Sequence, residues 1–67
     1  MEYLKLTNGK VTVKVVDQTN PGNAVWPFQV LVKQGSKHFQ DINSHTNLEA
    51  AVNEAIYTFR NETYFRV

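Results

Sequence analysis

The sequence predicts an α+β domain: an antiparallel β-sheet of three to five strands, in the order ββββα, with one amphipathic helix on one face. Three observations carry this. Residues 2–17 hold two runs of alternating apolar and polar side chains around Asn8-Gly9, and a period of two marks a half-buried strand. Two further runs flank Gly35-Ser36. Residues 48–59 then change to apolar spacings of three and four, the period of a helix with one buried stripe.

The first strand, residues 2–6, sets Leu4 and Leu6 on one side and Tyr3 and Lys5 on the other. Asn8-Gly9 reads as the centre of a type I′ hairpin turn, in which both central residues take positive φ. The second strand, residues 10–17, opposes Val11, Val13 and Val15 to Lys10, Thr12, Lys14 and Val16, and β-branched residues at this density favour a pleated strand. Asn20-Pro21-Gly22-Asn23 has loop chemistry and marks the longest irregular stretch, where mobility is expected. In a third strand over 26–34, Trp26, Phe28, Val30 and Val32 turn inward and Pro27, Gln29, Leu31 and Lys33 outward. Trp26 is expected to anchor the core's edge, and Pro27, lacking a ladder donor, belongs at the strand's start or at a sheet edge. Gly35-Ser36 suits a two-residue II′ turn, which gives a fourth strand over 37–42 with Phe39 opposite Val32 on the core side.

Thr46-Asn47-Leu48-Glu49 matches a capping box, with the Thr46 hydroxyl accepting from the Glu49 N–H. Leu48, Ala51, Val52, Ala55, Ile56 and Phe59 form the helix's apolar stripe, while Asn53, Glu54, Thr58 and Arg60 point away and Asn61 closes the helix. Residues 62–67 alternate again, so a short fifth strand or a packed tail follows; Tyr57 with Tyr64 and Phe65 is a second candidate contact patch.

Length and composition narrow the class. The 67 residues make one small domain, residues 1–67, with an ordinary apolar share of 42% and a net charge of +1. There is no cysteine, so disulfides and thiolate zinc sites are excluded. A fold without staples fits a cytoplasmic location. No apolar run approaches the roughly 20 residues of a membrane helix, and Met1-Glu2-Tyr3-Leu4-Lys5-Leu6 lacks a signal-peptide pattern. No membrane partner is expected.

Chemistry has few footholds. His38, Asp41 and His45 are the one group of metal-ligand types, but three ligands spread over a strand end and a loop do not make a closed zinc site. Ser44 is next to His45 in sequence, which does not by itself give the geometry of a nucleophile and its base. The three glycines stand singly, so there is no phosphate loop. The expectation is therefore no catalytic residues, no metal, no cofactor and no enzyme.

The outward sheet face is more informative. Alternation assigns it Tyr3, Lys5, Lys10, Thr12, Lys14, Val16, Gln29, Leu31, Lys33, His38, Gln40 and Ile42, which include four of the five lysines and no acid. Lysines on such a face can serve only to solubilise it and to protect its edges. The functional alternative is docking, with Tyr3, Lys5, Lys14, Gln29, Leu31, Lys33, His38 and Gln40 as candidate binding residues. The expected partner is a protein, with the chain acting as an accessory or phage-type module. The alternative is nucleic acid held through the lysines, although both arginines lie elsewhere and Tyr3 is the one aromatic. A homodimer through an exposed sheet edge is the third option.

The element order, with Trp26-Pro27-Phe28-Gln29-Val30 on a strand and Leu48-Glu49-Ala50-Ala51 on the helix, is similar to two groups of DNA-binding domains. One is the sheet-plus-helix domains of some plant transcription factors; the other is the arm-binding domains of phage-type integrases. Both lay a sheet face into the DNA major groove. Several small phage inhibitor proteins share the same order. The arginine- and tryptophan-rich strand motifs of the DNA-binding groups are missing from this sequence, so the resemblance is one of layout and selects no function.

Overall fold

The computed structural model describes residues 2–17 and 26–65, with side chains through Asn61. It contains β1 (Glu2–Thr7), β2 (Val11–Asp17), β3 (Phe28–Gln34), β4 (Gln40–His45) and α1 (Leu48–Phe65). The strands form one antiparallel sheet in the order β1-β2-β3-β4. The helix packs on one face of it, chiefly across the two central strands. The loop read at Asn20-Pro21-Gly22-Asn23 lies outside the described residues.

The core is a seam of small side chains. Val11, Val13, Val15, Val30 and Val32 from the sheet meet Ala51 and Ala55 from the helix, with Leu4, Phe28, Leu48 and Phe59 packed around them. Val13, Val15, Val30, Ala51 and Ala55 have no exposed surface. Alanines one helical turn apart bring the helix axis close to the sheet, and the valines' stiff branched tops fill the remaining gap. Leu48, Ala51, Ala55 and Phe59 thus hold the contact line, while Ile56, on the flank, stays exposed.

Both helix ends differ from expectation. The cap is Asn47, whose Oδ1 accepts from the Ala50 N–H at 3.2 Å while its carbonyl accepts from Ala51 at 3.1 Å. Thr46, one residue earlier, is not the capping residue. Asn or Asp at the N-cap serves as well as Thr, so the motif located the helix start but chose the wrong oxygen. At the other end the helix runs on to Phe65. Asn61 does not close it; its Nδ2 donates back to the Tyr57 carbonyl at 2.8 Å, within the helix. Residues 62–65 therefore do not form the proposed fifth strand, and residues 66–67 lie outside the described residues. A short apolar–polar run cannot separate strand from helix by periodicity alone, and no Gly or Pro interrupts residues 48–65.

The turns decide the register. In the first hairpin Thr7 pairs with Thr12, so the central residues are Gly9 and Lys10 rather than Asn8 and Gly9. Gly9 alone takes positive φ there, at 90°. Asn8 instead uses its side chain, Oδ1 accepting from the Lys10 and Val11 N–H groups at 2.8 Å each. The second turn is centred on Gly35-Ser36 as expected, with Gly35 at φ 60° and the Lys37 N–H bonded to the Gln34 carbonyl at 3.1 Å. One extra residue then intervenes before β4, so Val32 pairs with Gln40 instead of Phe39.

Two irregularities complete the sheet. Glu2 pairs with Val16 and Leu4 with Val15, which leaves Tyr3 as an extra residue in β1. Val30 pairs with Asn43 and Leu31 with Asp41, which leaves Ile42 as an extra residue in β4. Both bulged strands are the edges of the sheet. A bulge breaks the row of free N–H and C=O groups that another strand would use, so both edges work against the edge-paired homodimer.

The face assignment can be tested by truncation. Val15→Ala empties space in the seam and is expected to cost about 2 kcal/mol in urea unfolding. Val16→Ala, one residue on and half-buried on the opposite face, should cost clearly less. Equal losses would contradict the assignment of the two sides.

Candidate functional site

Opposite the helix, the pairing registers build three rows across the sheet. One runs Thr7, Thr12, Lys33; the next Lys5, Lys14, Leu31, Asp41; the third Glu2, Val16, Gln29, Ser44. Phe39 joins the first row: the Lys14 Nζ lies 4.1 Å and the Lys33 Nζ 5.1 Å from its ring centroid. Lys14, Val16, Gln29, Leu31, Lys33 and Phe39 are half-buried, whereas Lys5 and Asp41 are exposed. Thr12 is 9% exposed, and its hydroxyl donates to Thr7 Oγ1 at 2.9 Å. This face therefore carries partly packed side chains rather than a uniform fringe of free ammonium groups.

Five of the eight candidate residues share this face: Lys5, Lys14, Gln29, Leu31 and Lys33. Three do not. Tyr3, the bulge residue, turns to the helix side, where its ring meets Phe28 edge-on at 5.4 Å and its hydroxyl donates to Asp17 Oδ1 at 2.6 Å. Gln40 opposes Val32 and so belongs to the helix side. His38 lines a small cavity with Val32, Gln34, Lys37 and Gln40, on that same side. The one-residue slip before β4 explains both His38 and Gln40, and it carries Phe39 outward into the lysines. Trp26 is 49% exposed and does not anchor the core edge.

The expectation of an acid-free face is also overturned. Asp41 stands at the end of the middle row, its Oδ2 accepting from Gln29 Nε2 at 2.7 Å, and Glu2 stands in the third. Lys10 sits in the turn ahead of β2 and Ile42 in the β4 bulge. What remains is Lys14 and Lys33 around Phe39, with Lys5 beside Lys14 on β1. No carboxylate among the described residues comes within ion-pair distance of these ammonium groups. Lys5 and Lys14 are direct cross-strand partners, an arrangement that costs stability when the charges are alike.

The remaining ionisable groups pair elsewhere. Glu54, read as pointing away, bridges α1 to β4: its Oε1 meets His45 Nε2, and its Oε2 accepts from Asn43 Nδ2 at 3.4 Å. Ser44 pairs with Gln29 and His45 with Phe28, so these neighbours face opposite sides of the sheet and do not form a nucleophile–base pair. Among the described residues no three of His, Asp and Glu converge on one point, and no helix is long and apolar enough to cross a membrane. A shallow groove beside β4 is lined by Trp26, Asp41, Ile42, Asn43 and Ser44.

Sequence signals for these placements differ. Apart from the exposed Ile42, Gln40-Asp41-Ile42-Asn43-Ser44-His45 is polar on both sides, and a strand without an apolar side fixes its register weakly. An inserted residue ahead of such a strand therefore turns Phe39 outward at little cost. Nothing in Glu2-Tyr3-Leu4 announces a bulge.

The Tyr3–Asp17 bond gives a pH signature. The hydroxyl holds the Asp17 carboxyl below the usual range, and the carboxylate raises the Tyr3 phenol. A depressed carboxyl stabilises the fold above its unfolded value of about 3.9 and loses that contribution as pH falls through the lower folded value; a raised phenol stabilises below about 10 and loses it at higher pH. Tyr3→Phe should therefore lower the urea midpoint at pH 7, with the gap to wild type narrowing as the pH drops below about 3.9. A gap independent of pH would contradict the pairing.

No family model, no curated protein and no solved structure matches the chain.

Proposed function

We propose that the chain is a non-enzymatic binding module, an accessory protein that docks on a protein partner through the sheet face opposite the helix. The observation that carries this reading is the juxtaposition of Lys5 and Lys14, with Lys33 nearby and no carboxylate paired to any of them among the described residues. Like charges set side by side raise the local potential and cost the fold free energy; acidic groups of a partner would offset that cost. Leu31, Val16 and Phe39 lie half-buried on the same face and offer the apolar area that protein interfaces use at their centres. The absence of cysteine fits work in a reducing cytoplasm.

Nucleic acid is the competing reading, and the acids on the face weigh against it. Asp41 and Glu2 would meet the phosphates of any strand laid across the rows.

Capture from a cell lysate with wild-type chain and with the Lys14→Glu plus Lys33→Glu variant separates the outcomes. A specific protein held by the wild type and lost by the variant is the expected result. A protein held equally by both would move the interface elsewhere, with the exposed Ile56 and Tyr57 of the helix next in line. Shifted mobility of duplex DNA at low salt, abolished by the same variant, would favour nucleic acid.

A further inference from the structure

We infer that Lys14, Phe39 and Lys33 form a preset clamp for carboxylates, and that the segment it takes is an acidic polypeptide carrying two or three carboxylates beside an apolar residue. This rests on the docking reading above and names its anchor and the chemistry of its partner.

Lys14 of β2 and Lys33 of β3 are diagonal neighbours, since Lys14 pairs with Leu31 and Lys33 with Thr12. Such positions lie roughly 7–8 Å apart on a sheet. Phe39, from the segment just before β4, brings its ring within 4.1 Å of one ammonium and 5.1 Å of the other. The negative face of the ring attracts both cations. Each ammonium has three N–H donors, and none of them reaches a carboxylate among the described residues. Two cations are thus held together by a group that does not neutralise them, and an anion between them would satisfy the free donors.

Preorganisation gives the clamp its value. A free surface lysine loses most of its rotamer freedom when it binds. Lys14 and Lys33 are half-buried and already in contact with the ring, so less remains to be lost. Lys5, exposed and directly opposite Lys14, supplies a third and looser charge.

The borders of the clamp select among anions. Strands lie about 4.8 Å apart, so the row from Lys5 to Asp41 spans roughly 14 Å, with lysines in one half only. Asp41, tied to Gln29, ends that row, and Glu2 lies in the neighbouring one. A continuous polyanion would run from the lysines onto these carboxylates. A short acidic stretch ends before reaching them, and its apolar neighbour would lie over Leu31 and Val16. No arginine among the described residues shares the face, since Arg60 belongs to α1. Bidentate phosphate recognition therefore has no donor fork there.

The test titrates the isotopically labelled full chain, at low salt, with a short synthetic peptide of glutamate and leucine and separately with duplex DNA. Amide and lysine ammonium resonances are followed. The expected result is peptide-induced shifts centred on Lys14, Lys33 and Phe39. Lys14→Gln plus Lys33→Gln should weaken the peptide roughly tenfold, and Phe39→Leu, which keeps an apolar side chain but removes the ring, should weaken it less. Shifts confined to Val16, Gln29 and Leu31, with affinity unchanged in these variants, would overturn the clamp and leave docking on this face standing. DNA binding as tightly as the peptide at the same residues would overturn the choice of polypeptide. Shifts on the helix side alone would overturn both the clamp and the docking face. No shift with either probe would overturn the clamp, and lysate capture would still decide the wider reading.

Discussion

The closeness of helix and sheet governs this fold. Ala51 and Ala55 present almost nothing beyond the helix backbone, and Val13, Val15 and Val30 rise to meet them with no surface left exposed. A seam built of such short side chains works at one separation and with one side of the sheet inward. Turning β2 or β3 over would place Lys14 or Lys33 against the alanines, where an unpaired ammonium group is strongly disfavoured. The inward valines therefore fix what the opposite face can display, and the lysines of the central strands are outward because the valines are inward.

From this constraint follows how far the fold could be read from the sequence. Alternation in β2 and β3 is unambiguous, since one side is apolar and the other carries charge, and the structure keeps both assignments. The β1–β2 turn was misplaced by one residue, yet no face changed. Moving the turn's centre by one residue shifts the pairing by two, and side chains repeat with period two. Leu4 and Leu6 accordingly stay on the side of Val15 and Val13. In β4 a single inserted residue shifts the pairing by one, and every side chain ahead of the bulge changes face. The same size of error was harmless at one turn and decisive at the other.

The candidate site inherits this difference. Lys5, Lys14, Gln29, Leu31 and Lys33 were legible because they lie on strands whose partners oblige them to face outward. Tyr3, His38 and Gln40 depart from expectation because Tyr3 and Gln40 lie on edge strands and His38 in the segment leading into one, where a bulge or an inserted residue meets only one neighbour and costs little. The corrections reshape the face. It loses a tyrosine and gains Phe39 among the lysines, and Asp41 and Glu2 now border the basic group. A broad basic surface gives way to a small cationic group around one ring, which suits a compact acidic partner better than a long polyanion. Glu54, expected to point away from the sheet, instead joins the helix to β4 through His45 and Asn43.

The side on which Phe39 lies is the point on which the site depends, and nuclear Overhauser contacts from its ring protons test it most directly. Cross-peaks to the side-chain methylenes of Lys14 and Lys33, with none to the methyl groups of Ala51 or Ala55, are expected. Cross-peaks from the ring to those alanine methyls, or to the methyls of Val32, would put Phe39 back in the core and contradict both the register of β4 and the lysine clamp built on it.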